Sequence, residues 1–153
     1  MKYIWYHEFK IGKIGVVEEN GFITELKFND DDIIEKKETP LIKKTITELE
    51  EYFLGLRKVF DIPINPKGTE FQKKVWQALK EIEYGKTETY KGIAVKINND
   101  KACRAVGLAN NKNPIPIIIP CHRVIGSNNK LVGFALGLDI KQSLLDLEKY
   151  SGL

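Results

Sequence analysis

Pro120-Cys121-His122-Arg123-Val124 sets a thiol directly before an imidazole, between an apolar run at residues 115–119 and the pair Ile125-Gly126. A thiol is a weak nucleophile until it loses its proton, and a positioned imidazole is the usual means of removing it. An unperturbed thiol titrates near pH ~8.5, so only a few per cent is ionised at neutral pH. Adjacent residues of an extended chain point to opposite faces. Either the backbone turns at Cys121, or a water carries the proton to His122. A buried, inert cysteine beside a surface histidine would read the same way as a bare dipeptide. A metal site is not expected: Cys103, Cys121, His7 and His122 count to four ligands but show no C-x-x-C or H-x-x-x-H pairing.

The elements that must hold this pair fall into two parts. With 153 residues and 42% hydrophobic content, the chain can bury one or two small cores. Its net charge of +3 permits a nucleic-acid partner without requiring one. No apolar run approaches the length of a membrane span and the amino terminus has no signal-peptide pattern. Two cysteines without secretory context read as reduced thiols, and a cytoplasmic protein is expected. Residues 2–28 read as strands, with Asn20-Gly21 as a hairpin turn and Phe22, Thr24, Leu26 and Phe28 alternating with Ile23, Glu25 and Lys27. The acidic stretch at residues 29–32 reads as a solvated loop. Thr39-Pro40 opens a helix whose apolar stripe is Ile42, Ile46, Leu49, Phe53 and Leu56. Residues 59–64 read as a last strand, and Asn65-Pro66-Lys67-Gly68 as a linker.

The second part opens on a capping box, Thr69 with Gln72, and a helix burying Phe71, Val75, Trp76, Leu79 and Ile82. A short helix over residues 90–97, a turn at Asn98-Asn99 and a third helix capped by Asp100 give a helix-turn-helix pattern. That third helix carries Ala102, Ala105, Gly107 and Ala109, small enough for close helix packing or for close approach to a duplex. Cys103 is expected on its buried face. The last helix shows Ile140, Leu144, Leu145 and Leu147 as its core stripe. The fold class is therefore α+β: a small sheet domain with a helix (residues 1–65), then a mainly helical, winged helix-turn-helix-like domain (residues 66–153).

The cysteine motif and its surroundings resemble the O6-alkylguanine-DNA alkyltransferases. The resemblance runs in order through Gly68-Thr69-Glu70-Phe71-Gln72, Val75-Trp76-Gln77-Ala78-Leu79, Gly85, Tyr90, Arg104-Ala105-Val106-Gly107 and Asn113-Pro114-Ile115-Pro116. It continues past the cysteine motif to Lys141, Leu144-Leu145 and Glu148. It implies a ribonuclease-H-like amino-terminal domain and a suicide reaction in DNA repair. The alkyl group of O6-alkylguanine, and of O4-alkylthymine, would pass stoichiometrically and irreversibly to Cys121. By the same resemblance His122 is the base, Glu148 orients it, and Tyr90 donates a proton to N3 of the leaving guanine. Arg104 fills the space left by a flipped nucleotide, with Lys101, Ala102, Thr89, Tyr90 and Ser127 as further contacts in the minor groove of double-stranded DNA. Asn113, Pro116, Val124, Phe134, Ala135 and Leu136 line the substrate pocket, with backbone groups of Cys121 and Val124 reading the guanine 2-amino group. Arg123 ties the loop down. No cofactor and no metal are implied, and a monomer is expected.

Rival chemistries weigh less. A thiol-based regulator would need a signalling domain that 153 residues barely allow, and an acyl-transferring Cys-His hydrolase would need an oxyanion hole and repeated turnover. One departure from the family pattern stands out: Gly133-Phe134-Ala135-Leu136-Gly137-Leu138 places a branched side chain at position 136, where relatives leave room. The expectation is a tight pocket that takes methyl and resists benzyl.

Overall fold

The structure, a computed structural model, describes residues 1–126, 134 and 136–150. It divides into two compact units, Met1–Lys67 and Gly68–Tyr150.

The first unit is a mixed sheet of four strands, β1 (Lys2–Phe9), β2 (Gly12–Glu19), β3 (Phe22–Lys27) and β4 (Glu35–Lys36), in the order β3-β2-β1-β4. The β2-β3 hairpin turns on Asn20 and Gly21, at φ 54° and 85°, the two positive values that a two-residue turn of this kind needs. Helix α1 (Pro40–Phe53) starts where expected, with the Thr39 side chain accepting from the Ile42 amide, and packs on β1, β2 and β3.

Three expectations for this unit change. A bulge between Val17 and Glu18 leaves Thr24 without a pair across the hairpin and breaks the alternation at the start of β3, while Thr24 and Leu26 are buried as expected. Ile23 is buried in place of Phe22, which is exposed, as is Phe28. Residues 59–64 do not form a strand: only Ile64 bridges to Ile23, while Pro63 has no amide for a ladder and the Asp61 amide donates to Glu48. The fourth strand is instead β4, parallel to β1. Gly55, at φ 76°, ends α1 before Leu56, which stays exposed.

The second unit holds Cys121 and His122. Helix α2 (Glu70–Lys80) has both bonds of the capping box, and Trp76 is buried at its centre, with Nε1 donating to the Ala109 carbonyl at 2.8 Å. Phe71 is only half-buried. Gly68 sits under the Trp76 ring: a Cβ there would lie 2.5 Å from Cη2. Strand β5 (Glu88–Thr89) leads into α3 (Tyr90–Lys96), and Asn98 turns the chain at φ 60° toward α4 (Cys103–Asn111). Asp100 does not cap α4. The Ala102 amide bonds back to Asn99, so the turn closes two residues later and Ala102 takes the cap position without a side-chain bond. Helix α4 buries Val106, Ala109 and Asn110; Ala105 and Leu108 face solvent, and Cys103 is only half-buried. After α4 come a 3-10 turn at Cys121–Arg123, strand β6 (Val124–Ile125), which pairs with β5, and helix α5 (Leu138–Tyr150). The buried side of α5 is Lys141, Leu144 and Glu148, whereas Ile140, Leu145 and Leu147 are half-buried. The helix is rotated toward a polar cluster that satisfies the lysine and the glutamate.

Candidate active site

The backbone turns at the thiol. Pro120 (φ −79°, ψ 65°) breaks the preceding run, and Cys121–Arg123 wind into a single 3-10 turn. The Cys121 amide donates to the Ile119 carbonyl at 2.7 Å. The approach to this turn is unusual: Ile117, a fully buried β-branched residue, stands at φ 76°. That region is normally left to glycine. Its consequence is local, because the Ile117 amide helps hold the Cys121 thiol down against burial. Asn113 braces the same loop, donating to the Ile119 carbonyl at 2.8 Å and accepting from the Ile115 amide at 3.0 Å. Asn110, one turn earlier, donates to the Cys121 carbonyl at 3.4 Å. Two side-chain amides, Asn110 and Asn113, thus brace the loop that carries Cys121.

Burial pushes the Cys121 thiol up to about 11, against the opposing pull of Asn113, Lys141 and the backbone amides. The group at rest is therefore a thiol. His122 is completely buried. Its Nε2 bonds to Glu148 Oε2 at 2.6 Å, which makes Nδ1 the ring atom that takes a proton. Burial holds the imidazole below its ordinary value, and the Arg123 and Lys141 charges add to that, although Glu148 pulls the other way. A neutral imidazole at neutral pH is what a base requires.

Glu148 is anchored from several sides. Arg123 donates through Nε to Oε1 at 2.8 Å and through Nη2 to Oε2 at 3.0 Å, a two-pronged contact, while its Nη1 donates to the Ile82 carbonyl at 2.7 Å. The Gly85 amide, in a loop turned by φ 77°, donates to Oε1 at 3.2 Å. Burial by itself would raise the Glu148 carboxyl, but His122 and Arg123 bring it down to about 2. Tyr90, the first residue of α3, is half-buried. Burial raises its hydroxyl, and charge on Cys121 raises it further, so the phenol keeps its proton. Lys141 is wholly buried, with Nζ donating to the Val124 carbonyl at 2.5 Å.

The 6-O-methylguanine DNA methyltransferase DNA-binding domain matches residues 70–150, and the 6-O-methylguanine DNA methyltransferase ribonuclease-like domain matches residues 1–66. The chain belongs to the O6-methylguanine DNA methyltransferase family. It is 43% identical over 161 aligned residues to the constitutive methylated-DNA–protein-cysteine methyltransferase of Bacillus subtilis, covering 99% of this chain and 98% of that one. Against the Methanosarcina acetivorans protein of the same description the identity is 66% over 101 residues, 66% of this chain and 65% of that one. Among solved structures, the Mycobacterium tuberculosis O6-methylguanine methyltransferase superposes with a TM-score of 0.92 at 36% identity, covering 100% and 96% of the two chains. The same organism's protein solved in complex with DNA gives 0.91 at 37% identity, covering 97% and 94%.

Within the family frame, the remaining expected residues lie as follows. Arg104 and Lys101 are exposed at the start of α4, and Ala102 is half-buried beside them. Thr89 caps α3, its side chain accepting from the Gly92 amide at 2.9 Å. Pro116 and Val124 are buried; Phe134 and Leu136 are half-buried. Ser127, Gly133 and Ala135 lie outside the described residues. Among the described residues no group of three His, Cys, Asp or Glu side chains could hold a metal ion. Sequence reasoning did not single out the strained Ile117, the buried amide of Asn110 or the burial of Lys141 against the Val124 carbonyl. For Lys141 a signal existed, since it stands in helical phase with Leu144 and Glu148.

Proposed function

We propose that this chain repairs O6-methylguanine in DNA as a methylated-DNA–protein-cysteine methyltransferase (EC 2.1.1.63), with Cys121 as the acceptor. The observation that carries the reading is the buried Cys121 on a 3-10 turn, followed by an imidazole that Glu148 holds at 2.6 Å. In the reaction the sulfur attacks the alkyl carbon in line with O6. The carbon–oxygen bond breaks with its electron pair going to the base, and a thioether forms. The thiol proton passes to Nδ1 of His122, directly or through a water, and Tyr90 gives its proton to N3 so that guanine does not leave as an anion. Glu148 keeps the imidazole oriented and stabilises its charged form. Because a thioether is stable, each molecule acts once.

The substrate is double-stranded DNA entered from the minor groove. Exposed Arg104 occupies the gap left by the flipped nucleotide, flanked by Lys101, Ala102 and Thr89. The relative from Mycobacterium tuberculosis solved with DNA supports this partner. Pro116, Val124, Phe134, Leu136 and Asn113 shape the alkyl pocket, which also takes O4-alkylthymine. The DNA-binding and acceptor part begins at residue 66, after an amino-terminal ribonuclease-H-like part. The protein acts as a cytoplasmic monomer; among the described residues no helix is long and apolar enough to cross a membrane. The test is to mix protein with an oligonucleotide carrying radiolabelled O6-methylguanine. Label should move to protein up to one equivalent and stop there. Continuing turnover, or label that stays with the DNA, would overturn the assignment.

A further inference from the structure

Lysine is among the costliest side chains to bury, since an ammonium taken out of water loses several kcal/mol of hydration. Lys141 is 0% exposed. Its place on α5 brings Nζ within 2.5 Å of the carbonyl of Val124, three residues past the thiol, and 5.9 Å from the centroid of the Phe134 ring. We propose that Lys141 is a positioning residue whose buried ammonium stabilises the negative charge that develops on the Cys121 sulfur during attack. The inference rests on the reading of Cys121 as the nucleophile.

The other groups around the sulfur have different work. From the 3-10 turn come His122, the proton acceptor, and Arg123, paired through two nitrogens with Glu148. From α5 come Glu148 and Lys141. From α3 comes the Tyr90 phenol, which resists ionisation next to a charged sulfur. Asn113 and the Ile117 amide lower the thiol without bringing a charge. Lys141, buried and bonded to Val124 directly after the Cys121–Arg123 turn, sets a cation against the loop that holds the thiol, and the influence is mutual: burial lowers the ammonium to about 8, while charge on Cys121 raises it. Such a pair titrates together. Below pH 8 the ammonium is present and each pH unit brings more thiolate. Above it the ammonium discharges, and thiolate formation loses its support.

A lysine that merely tied down the Val124 carbonyl would matter for stability and leave thiol acidity alone. The experiment is therefore the rate of Cys121 modification by iodoacetamide between pH 6 and pH 10, without DNA, with the product mapped by mass. In the wild type the logarithm of the rate should climb with unit slope up to about pH 8 and more shallowly beyond. Lys141→Met should slow the reaction about tenfold or more at pH 7.5, as expected when an opposite charge next to a thiol is removed. Lys141→Arg should restore most of the rate. Two outcomes overturn the proposal: a Met variant that is less stable but reacts like the wild type, or unit slope in the wild type through pH 10. The wild-type slope decides even if the Met variant does not fold. Failure of the underlying reading is separable, because it would appear as wild-type protein that takes no methyl from methylated DNA.

Discussion

Replacing Glu148 by glutamine keeps the shape of the side chain and removes the charge that Arg123 and His122 share. The carboxyl is 5% exposed and held at about 2, against 4.5 for an unperturbed glutamate. A folded-state value below the unfolded one means stability present above pH 4.5 and lost as pH falls through 2. The displacement of about two and a half units corresponds to about 3 kcal/mol. Removing the charge at pH 7 also strands the buried Arg123 guanidinium, and breaking a buried pair in this way costs about 3–5 kcal/mol. Urea unfolding at a series of pH values measures both effects. A Trp5→Phe background leaves Trp76, in the second unit, as the one indole reporter, since the chain has two tryptophans. Glu148→Gln should be about 3–5 kcal/mol less stable at pH 7, and the gap should close by about 3 kcal/mol on acidification to pH 2. Other carboxylates cancel in the difference between the two proteins. A gap that is constant with pH, or below about 1 kcal/mol at pH 7, would show that Glu148 is not the anionic hub of this site.

Three more outcomes follow from single contacts. Arg104→Ala should slow methyl transfer from duplex DNA far more than alkyl transfer from a free base, because only the duplex requires flipping; equal slowing would make Arg104 structural. Leu136→Gly should speed inactivation by O6-benzylguanine about tenfold or more with little change toward methylated DNA, as relief of an overpacked pocket mouth predicts; equal benzyl rates would place Leu136 away from the pocket. Gly68→Ala should cost about 1–3 kcal/mol and shift Trp76 fluorescence, since the added carbon would meet the ring at 2.5 Å; an unchanged melting temperature would refute the close packing.

Much of this fold was legible because local chemistry and tertiary structure agree. Thr39-Pro40 and Thr69 with Gln72 cap their helices as capping rules require, and Asn20-Gly21 turns the hairpin. The failures arise where distant contacts override local pattern. The alternation in β3 holds at Thr24 and Leu26 but breaks at the bulge between Val17 and Glu18, where Ile23, bridged to Ile64, is buried in place of Phe22. The apolar positions of α5 suggested one face, yet the helix buries Lys141 and Glu148 because Val124, His122 and Arg123 satisfy them from another segment. Spacing alone could not pair His122 with Glu148 across 26 positions; the family resemblance supplied that. The positive φ at Ile117 left no trace in composition, since nothing in an isoleucine announces a left-handed backbone.

The central claim is that the Cys121 sulfur, and no other group, takes the alkyl carbon. The direct measurement is intact and peptide mass after incubation with an oligonucleotide containing O6-methylguanine, for wild type, Cys121→Ser and Cys121→Ala. The wild type should gain one methyl, located on the peptide containing Cys121, and neither variant should gain any, while Cys103 stays unmodified. Methyl transfer that survives in either variant, or a methyl found on Cys103, would contradict it.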